Sequence, residues 1–443
     1  MVSLPPGPSS SMWSMLRYLR DPMFCMLPLA QKYGDPFTFP GKPAMVCCGD
    51  PASIKAIYSA DPETFQPLLQ EMAVFLGRHS VLLTSGAGHR RARKLMMPPF
   101  HGARMRAYGE IMAQLAEQHT ATWAVGQEVK IYEVAKHISL DVILQAVFGL
   151  SAPARRAEVG RLVLDLLNGI SPLIALFPSL RRDFGGVGPF AGFVRRQRLL
   201  NAQLDSLIAE ARAAGPREDI LSLLVQARDE EGQPMSDEEV RDQLLVLVVA
   251  GHETTAISLA WAFYALHRPE NAAALERLRA DLGALGPAGE VEIEIEKLDK
   301  LPYLEAVCQE TLRRYPLAPA PSPRKLLRPL EVAGYTLPAG IAVTAAIGVA
   351  HFREEVYPEP LRFNPDRFLE RKFTPFEYLP YGGGARRCIG AAMASYELRL
   401  VLGTLLRRFR LRAASSKVDE GKLRAANVGP ATDVRMIVEA RLG

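Results

Sequence analysis

The sequence is poor in cysteine, and its positive and negative charges nearly balance. Five cysteines in 443 residues are too few for a disulfide-stapled protein, and the odd number leaves at least one thiol unpaired. This usage is typical of a reducing compartment, so we expect a cytoplasmic protein. Lys and Arg (53) exceed Asp and Glu (48) by only five, which is a weaker basic bias than nucleic-acid binding requires.

The sequence also lacks the apolar pattern of a signal peptide or of a membrane-spanning helix. The stretch 22–30 is short and contains two prolines. The run 244–250 is continuous, but His252 and Glu253 follow it within the same helical pattern, and charge at that depth argues against lipid. We therefore expect no membrane anchor.

The composition is that of a globular chain with a sizeable core, since 48% of the residues are hydrophobic and 23% are charged. Strand candidates at 37–39 and 44–48 indicate a small β-rich part near the N-terminus, at about 35–60. From about 103 to 285, apolar residues recur every three or four positions, which predicts helices. Because no repeat or linker-like stretch interrupts the chain, we predict one domain, 1–443, mainly α with small β-sheets.

The clearest predicted helix begins at Ser236, which forms a capping box with Glu239, and runs to about His267. A rod of about 30 residues crosses a whole domain, so its middle is expected near the molecular centre. There, Gly251 weakens the helix and Thr254 can bond back to a carbonyl, which favours a kink or groove.

A second helix is predicted at 301–315, where an apolar stripe ends before a proline. Strand candidates follow at 330–337 and 341–346. The next stretch, 351–387, is irregular and rich in Pro and Gly before helical periodicity resumes. Long irregular segments of this kind usually carry function.

The segment 381–390, Tyr-Gly-Gly-Gly-Ala-Arg-Arg-Cys-Ile-Gly, is the most informative in the chain. Its glycines allow a tight turn, its arginines supply positive charge, and Cys388 lies where a helix begins, so each feature favours a thiolate. An isolated cysteine of this kind could also be a buried, inert thiol. No second Cys or His lies close enough in sequence to build a zinc site, whereas a heme iron takes a single axial thiolate.

This segment resembles the heme-binding signature of the cytochrome P450 family, although Tyr381 stands where the family usually has Phe. Three further motifs occur in the family's order. The stretch 250–255, Ala-Gly-His-Glu-Thr-Thr, resembles its oxygen-activation segment, 310–313 resembles its Glu-x-x-Arg helix, and 364–368, Asn-Pro-Asp-Arg-Phe, resembles its Pro-Glu-Arg-Phe segment. The resemblance covers essentially the whole chain. It implies the P450 fold, with heme b between a long central helix and the cysteine loop.

The resemblance also implies roles for individual residues. Cys388 would be the iron ligand, and Glu253 and Thr254 would form the acid and alcohol pair that delivers protons to bound dioxygen. A core threonine beside a satisfied carboxylate is the alternative for that pair. The remaining expected contacts to heme come from His89, Arg93, Ala250, Gly251, Arg324, Tyr381, Arg386 and Gly390, with the two propionates held by His89, Arg93, Arg324 and Arg386.

Glu310 and Arg313 share one helix face, and the apolar residues around them favour burial over a surface ion pair. A buried pair needs every donor satisfied, so we expect Arg367 to complete a structural network that holds the loop ahead of the cysteine. Two roles stay open at this point. His252 could perturb the proton relay or simply pack, and the Tyr381 hydroxyl needs a partner and could change the reduction potential.

The leading hypothesis is a P450 monooxygenase, working as a monomer, that hydroxylates or epoxidises a lipophilic small molecule such as a terpenoid, steroid or fatty acid with O2. No flavin domain or cluster-binding cysteine set follows the loop, so a separate ferredoxin or flavodoxin-like donor with its reductase is expected to supply electrons. A peroxide-using or isomerising heme enzyme and a heme sensor or carrier are the alternatives.

Two sets of residues are expected to contact these partners. Exposed cations near the thiolate side of the heme would attract an acidic donor: Arg90, Arg91, Lys94 and Arg387. Apolar stretches would contact the substrate: 66–85, 170–190, 247–250, 317–323 and the segment around Val428.

Overall fold

The computed structural model describes most of the chain, in these residues: 4–68, 70–100, 102, 104–170, 174, 178–183, 185–215, 217–286, 291–321, 323–424 and 426–442, with the side chains of 291–294 left out. Within them the protein is mainly α-helical with small β-sheets, as the sequence predicts. The helices are Ser11–Arg20, Leu27–Tyr33, Pro51–Ser59, Ala73–Leu76, Gly86–Met96, Arg104–Thr120, Ile131–Phe148, Pro153–Asn168, Pro189–Ala214, Ile220–Gln226, Asp237–Leu266, Ala272–Gly283, Val291–Asp299, Pro302–Arg314, Ile347–Ala350, Arg367–Glu370 and Ala391–Arg408.

The strands are short and form small sheets. They are β1 Phe37–Phe39, β2 Met45–Cys48, β3 Phe65–Pro67, β4 Glu128–Lys130, β5 Arg324–Leu326, β6 Leu330–Val332, β7 Tyr335–Leu337, β8 Ala342–Ala345, β9 Phe409–Ala413, β10 Lys422–Arg424, β11 Asn427–Gly429 and β12 Arg435–Arg441. The largest sheet has the order β1-β2-β8-β5-β3, in which only β2 and β8 are parallel. A second sheet has the order β4-β12-β9, and β6-β7 and β10-β11 are hairpins.

Most sequence-based element boundaries agree with the structure within two residues, but one predicted strand is wrong. The segment 330–337 is a hairpin of β6 and β7 and not a single strand. Ala333 and Gly334, with φ of 50° and 79°, adopt the left-handed backbone conformation that reverses the chain between them.

Backbone contacts divide the chain into two compact units. Unit 1 comprises 1–68, 112–136 and 254–443, and unit 2 comprises 69–111 and 137–253. All twelve strands lie in unit 1, whereas the described residues of unit 2 form helices and loops. The single domain remains a prediction.

The long helix Asp237–Leu266 begins with the predicted capping box. The Ser236 amide donates to a Glu239 carboxylate oxygen at 2.8 Å, and the Glu239 amide donates to the Ser236 hydroxyl at 3.1 Å. The helix is α-helical throughout and shows no break at Gly251. A Cβ at Gly251 would lie 2.4 Å from the Ile143 Cδ1 atom, so this glycine allows close packing against the helix Ile131–Phe148.

The same helix is long and apolar enough to cross a membrane. However, 67% of its most apolar window is buried inside the protein, so these side chains are used for packing within the chain. Two further helices, Ile131–Phe148 and Pro153–Asn168, pass the same test only as one span bent by 108°.

A buried ionic network joins the helix Pro302–Arg314 to the segment that leads to the cysteine loop. The two nitrogens Nε and Nη2 of Arg313 donate to the Glu310 carboxylate at 2.7 and 2.8 Å, and both side chains are fully buried. Arg367 donates to the same carboxylate at 3.3 Å, and the Asn364 amide donates to it at 2.8 Å. The structure thus brings Glu310, Arg313 and Arg367 together.

The remaining guanidinium donors of this network bind main-chain carbonyls. Arg313 donates to His351 O at 2.7 Å and to Arg362 O at 3.3 Å, while Arg367 donates to Pro358 O at 3.2 Å and to Arg362 O at 3.4 Å. A buried charge is tolerated when its hydrogen-bonding capacity is met in this way. The network therefore fixes the backbone of residues 351–367 against the helix.

Replacing Glu310 by Gln is expected to destabilise the protein strongly, because two buried guanidinium groups then lose their counter-charge. Breaking a buried pair from one side costs about 3–5 kcal/mol. The urea midpoint followed by circular dichroism should fall accordingly. The matched control is Glu359→Gln, which breaks an exposed pair with Arg362 and should leave the midpoint unchanged. Equal effects of the two substitutions would contradict this account of the network.

Candidate functional site

The cysteine loop, residues 381–390, folds back on itself ahead of the helix Ala391–Arg408. The Cys388 amide donates to the Tyr381 carbonyl at 3.0 Å, and the Arg387 amide donates to the Gly384 carbonyl at 3.1 Å. Gly390 is the N-cap residue of the helix, so Cys388 precedes the first helical turn. The main chain thus sets where the sulfur emerges, beside the positive end of the helix dipole.

The glycines of the loop are explained by a close approach of Tyr58 from the helix Pro51–Ser59. A Cβ at Gly383 would lie 2.4 Å from a ring carbon of Tyr58, and one at Gly384 would lie 2.6 Å from the Tyr58 carbonyl. Gly382 and Gly384 also adopt φ of 65° and 63°, where other residues are strained. Sequence reasoning missed Tyr58, because nothing in the sequence links it to a loop more than 300 positions later.

The five cysteines differ sharply in exposure. Cys25, Cys47, Cys48 and Cys308 are buried, and Cys388 is exposed. Burial raises the pKa of Cys25 and of Cys308 to about 12, so these thiols stay protonated at neutral pH. Cys388 is the one exposed cysteine of the five. The described residues contain no group of three or more His, Cys, Asp or Glu side chains that could hold a metal ion by themselves.

The hydroxyl of Tyr381 has the partner that the sequence analysis required. The Ser395 hydroxyl, on the helix Ala391–Arg408, donates to it at 2.8 Å. Burial raises the pKa of Tyr381 above its usual value, so the phenol stays neutral. Ser395 was not identified from the sequence, although it lies one to two helical turns beyond the cysteine.

Arg324, on strand β5, is a buried cation that faces the same loop. One of its terminal nitrogens donates to the Gly383 carbonyl at 3.3 Å, and its guanidinium lies over the rings of Tyr58 and Phe65 at 5.2 and 5.4 Å. No carboxylate among the described residues forms an ion pair with it, and burial lowers its pKa. A buried cation without a protein counter-ion fits an anionic group of a bound cofactor, and a heme propionate is such a group.

Arg386 and Gly390, the other two expected heme contacts of this loop, are both half-buried. Arg386 lies in a single 3-10 turn, Gly384–Arg386. A Cβ at Gly390 would meet no atom within 4 Å, so the space beside this residue is open. The side of Gly390 on which a Cβ would stand, two positions after Cys388, is thus not filled by the described residues.

His89 and Arg93 lie one helical turn apart on the helix Gly86–Met96 of unit 2. His89 is buried and Arg93 is half-buried. Their spacing places both side chains on one face of the helix, as the sequence predicts.

The prediction that Arg91 is an open surface cation is wrong. Arg91 is half-buried, with ion pairs to Asp229 at 2.6 Å and to Glu239 at 2.8 Å. Lys94 is exposed but pairs with Glu230, so its charge is offset as well. These partners lie more than 130 positions away and come close only in the folded unit.

The middle of the long helix is locally accessible although most of the helix is buried. Ala250 is exposed, and Gly251, Glu253 and Thr254 are half-buried. His252 is buried, and its Nδ1 atom lies 3.2 Å from the Val248 carbonyl, which favours a packing role. An acid and an alcohol are therefore adjacent at an accessible stretch of the helix.

A cavity of about 540 Å³ in unit 1 borders the loop on another side. Its lining includes Cys308, Tyr378, Tyr381 and Arg387, but neither Cys388 nor Arg324. Neither the exposed cysteine nor the buried arginine therefore lines this cavity. Of the expected substrate stretches, residues 69, 171–173, 175–177, 184 and 322 lie outside the described residues, and Val428 is fully buried.

Comparison with known proteins assigns this arrangement to a family. The family model described as "Cytochrome P450" matches residues 4–428. Among curated proteins, the chain is 36% identical to "Putative cytochrome P450 135B1" of Mycobacterium tuberculosis, covering 99% of this chain and 92% of the relative. It is 34% identical to "Putative cytochrome P450 135A1" of the same organism, covering 100% and 97%.

Solved structures agree. The fold matches "Retinoic acid bound cyanobacterial CYP120A1" with a TM-score of 0.85 and 26% identity over the full length of both chains. It matches a "cytochrome P450DA heme domain" with a TM-score of 0.84 and 23% identity, covering 100% of this chain and 98% of the other, which supports the fold alone. The chain therefore belongs to the cytochrome P450 family of heme-thiolate monooxygenases, whose cofactor is heme b.

Proposed function

We propose that Cys388 binds the iron of heme b as a thiolate and that the enzyme hydroxylates or epoxidises a lipophilic small molecule with O2. The observation that carries this proposal is that Cys388 is exposed while the other four cysteines are buried. Its loop is held by the hydrogen bonds of the Cys388 and Arg387 amides to carbonyls of the same loop. A peroxide-using enzyme or a heme sensor would need the same ligand. The proton-delivering pair on the long helix favours the monooxygenase over both.

Several side chains would hold the cofactor. Arg324 supplies the buried positive charge that one propionate needs, and Arg386, His89 and Arg93 supply further donors. Tyr381 supports the loop through two hydrogen bonds: its carbonyl accepts from the Cys388 amide, and its hydroxyl accepts from the Ser395 hydroxyl. Ala250 and Gly390 have no bulky side chain, so a macrocycle could approach the backbone closely at these positions, whereas at Gly251 the Ile143 side chain already occupies the side on which a Cβ would stand.

When bound, heme supplies the iron at which dioxygen is activated. The protein's own task is then to move protons in a controlled way. The Thr254 hydroxyl can hold a proton or a water molecule, and the neighbouring Glu253 carboxylate is accessible enough to exchange protons with solvent. Controlled proton delivery favours product formation. Proton transfer from unordered water instead consumes the donor's electrons without forming product.

The substrate proposed here is a terpenoid, a steroid or a fatty acid. The described parts of the expected substrate stretches are mostly apolar, which suits a lipophilic molecule. One structural relative is described as binding retinoic acid, which is an isoprenoid lipid. This likeness gives the terpenoid class additional support.

The electron donor proposed here is a separate ferredoxin or flavodoxin-like protein with its reductase, and the enzyme is proposed to act as a monomer in the cytoplasm. Arg387 is exposed next to Cys388 and offers a positive charge to an acidic donor. Arg91 and Lys94 contribute less than the sequence suggested, because protein carboxylates offset their charges. Reduction should still be sensitive to salt.

Replacing Arg324 by Met should separate cofactor binding from protein stability. Loss of one charge-assisted contact to a propionate is expected to speed heme transfer to excess apomyoglobin about 10- to 100-fold. The cofactor-free protein should be as stable as before or more stable, because a buried cation without a counter-ion is removed. Arg328→Met, an exposed arginine nearby, is the matched control and should change neither quantity. Unchanged heme loss in Arg324→Met would contradict the assignment.

The enzymatic proposal is tested by a substrate panel followed by a substitution. Terpenoids including retinoic acid, steroids and fatty acids are screened for the absorbance shift that follows loss of the iron-bound water. With a responding compound, Thr254→Ala should lower product formed per donor electron at least about tenfold while heme content stays the same. Thr254→Ser keeps the hydroxyl and should restore much of the yield.

Two results would count against the proposal. A panel without any responder would refute the lipophilic substrate class. Full coupling in Thr254→Ala would refute the role of the hydroxyl and leave the peroxide-using or sensor function as the better explanation.

A further inference from the structure

The helix Ser11–Arg20 turns an apolar surface toward solvent. Five of its ten residues are large apolar side chains that are between 49% and 73% exposed: Met12, Trp13, Met15, Leu16 and Leu19. Single exposed apolar residues are ordinary on protein surfaces, but five on one short helix are a contiguous patch.

This helix turns toward the protein the polar side that an ordinary surface helix turns toward solvent. At 3.6 residues per turn, the five apolar side chains share one arc of about 160°. The side that meets the protein carries Ser14, which is buried, and Tyr18, which packs against the cluster that contains Cys25 and Met26. A surface helix normally places its apolar stripe inward, so here the polar side is packed and the apolar side is exposed.

Local contacts hold the helix in this orientation. The Ser10 hydroxyl accepts a hydrogen bond from the Trp13 amide at 3.4 Å, and the Ser14 hydroxyl donates to the Ser10 carbonyl at 2.9 Å. At the other end the Asp21 amide donates to the Arg17 carbonyl, and its carboxylate accepts from the Phe24 amide. The helix also lies against strand β10.

The charged residues within the helix are both arginines, and the half-buried Asp21 follows the helix directly. Arg17 and Arg20 are exposed at the edge of the apolar arc, and the helix contains no acidic residue. Neither arginine forms an ion pair within the described part of the chain. Lys422 on β10 is also exposed, and Glu420 is an exposed acid on the same segment.

We propose that the helix Ser11–Arg20 docks on the surface of an anionic phospholipid bilayer, with its apolar side chains in the headgroup and acyl boundary and its arginines on lipid phosphates. A helix with Trp, Leu and Met on one face and Arg at its rim lies in the plane of such an interface. The inference goes beyond the oxidation reaction and does not depend on the substrate.

A second copy of the chain fits this surface less well. The helix is about 15 Å long and about 10 Å wide, so its footprint is far below the ~800 Å² per partner of a standard protein interface. A two-fold contact through the helix would also offer these arginines no acidic partner on the facing helix, because the helix contains no acidic residue. Anionic headgroups instead complement them.

The chain offers a fluorescence probe of docking at the predicted position. Of its three tryptophans, Trp123 is 4% exposed and Trp261 is fully buried, so Trp13 alone is open to lipid. With vesicles of equal parts phosphatidylcholine and phosphatidylglycerol, the heme-loaded full chain should show a blue shift of emission and quenching by brominated acyl chains. Vesicles of phosphatidylcholine alone should bind at least about tenfold more weakly.

Flotation with the anionic vesicles then separates the contributions of the apolar side chains and of the arginines to membrane binding. Trp13→Gln with Leu16→Gln, and separately Arg17→Gln with Arg20→Gln, should each lower the bound fraction at least about fivefold. Two double variants serve as matched controls elsewhere in unit 1: Leu361→Gln with Leu369→Gln, which removes two exposed leucines, and Lys372→Gln with Arg410→Gln, which removes two exposed cations. Both controls should bind as the unchanged protein does.

Three outcomes would overturn the inference. The first is no flotation with anionic vesicles, and the second is an equal loss of binding in the helix variants and the controls. The third is a dimer in sedimentation experiments without lipid that dissociates in the Trp13 and Leu16 variant, because that result assigns the surface to a second copy.

Discussion

The buried carboxylate of Glu310 is the interaction on which the geometry of the cysteine loop depends. It holds Arg313, whose guanidinium binds the carbonyl of His351. The imidazole of His351 in turn accepts a hydrogen bond from the Leu379 amide, and the Leu379 carbonyl accepts one from the Gly382 amide at the start of the loop. Burial lowers the pKa of His351 to about 3, so the ring stays neutral and can accept. A continuous chain of bonds thus runs from one helix to the loop.

Two unusual groups lie at this loop in unit 1, the exposed thiol of Cys388 and the buried cation of Arg324, which donates to the Gly383 carbonyl. Each is unfavourable for the protein alone, since an open thiol is reactive and a buried charge without a counter-ion is costly. On the proposal that Cys388 binds heme iron and Arg324 pairs with a propionate, both groups would gain a partner when this dianionic cofactor binds. Departures from ordinary protein packing of this kind mark functional sites.

Sequence reasoning identified what local patterns and motifs encode. The capping box fixed the start of the long helix, and the Glu-x-x-Arg spacing placed two members of the network on one helix face. Contacts between distant segments of the chain could not be predicted from the sequence in the same way. Tyr58 under the glycines, the carboxylates beside Arg91 and the packing of Ile143 against Gly251 all arise from tertiary structure, because no residue spacing signals them. The reversed chain at 333–334 was missed for a simpler reason, since Ala333 is not a typical residue for a left-handed turn.

The central claim is that this scaffold presents Cys388 to heme iron as a thiolate. The most direct measurement is the absorbance of the reduced, heme-loaded protein with carbon monoxide, compared with a Cys388→His variant as the imidazole reference. The Soret band of the unchanged protein is predicted to lie far to the red of the reference. A band at the position of the imidazole-ligated iron, or a protein that binds no heme, would contradict the claim.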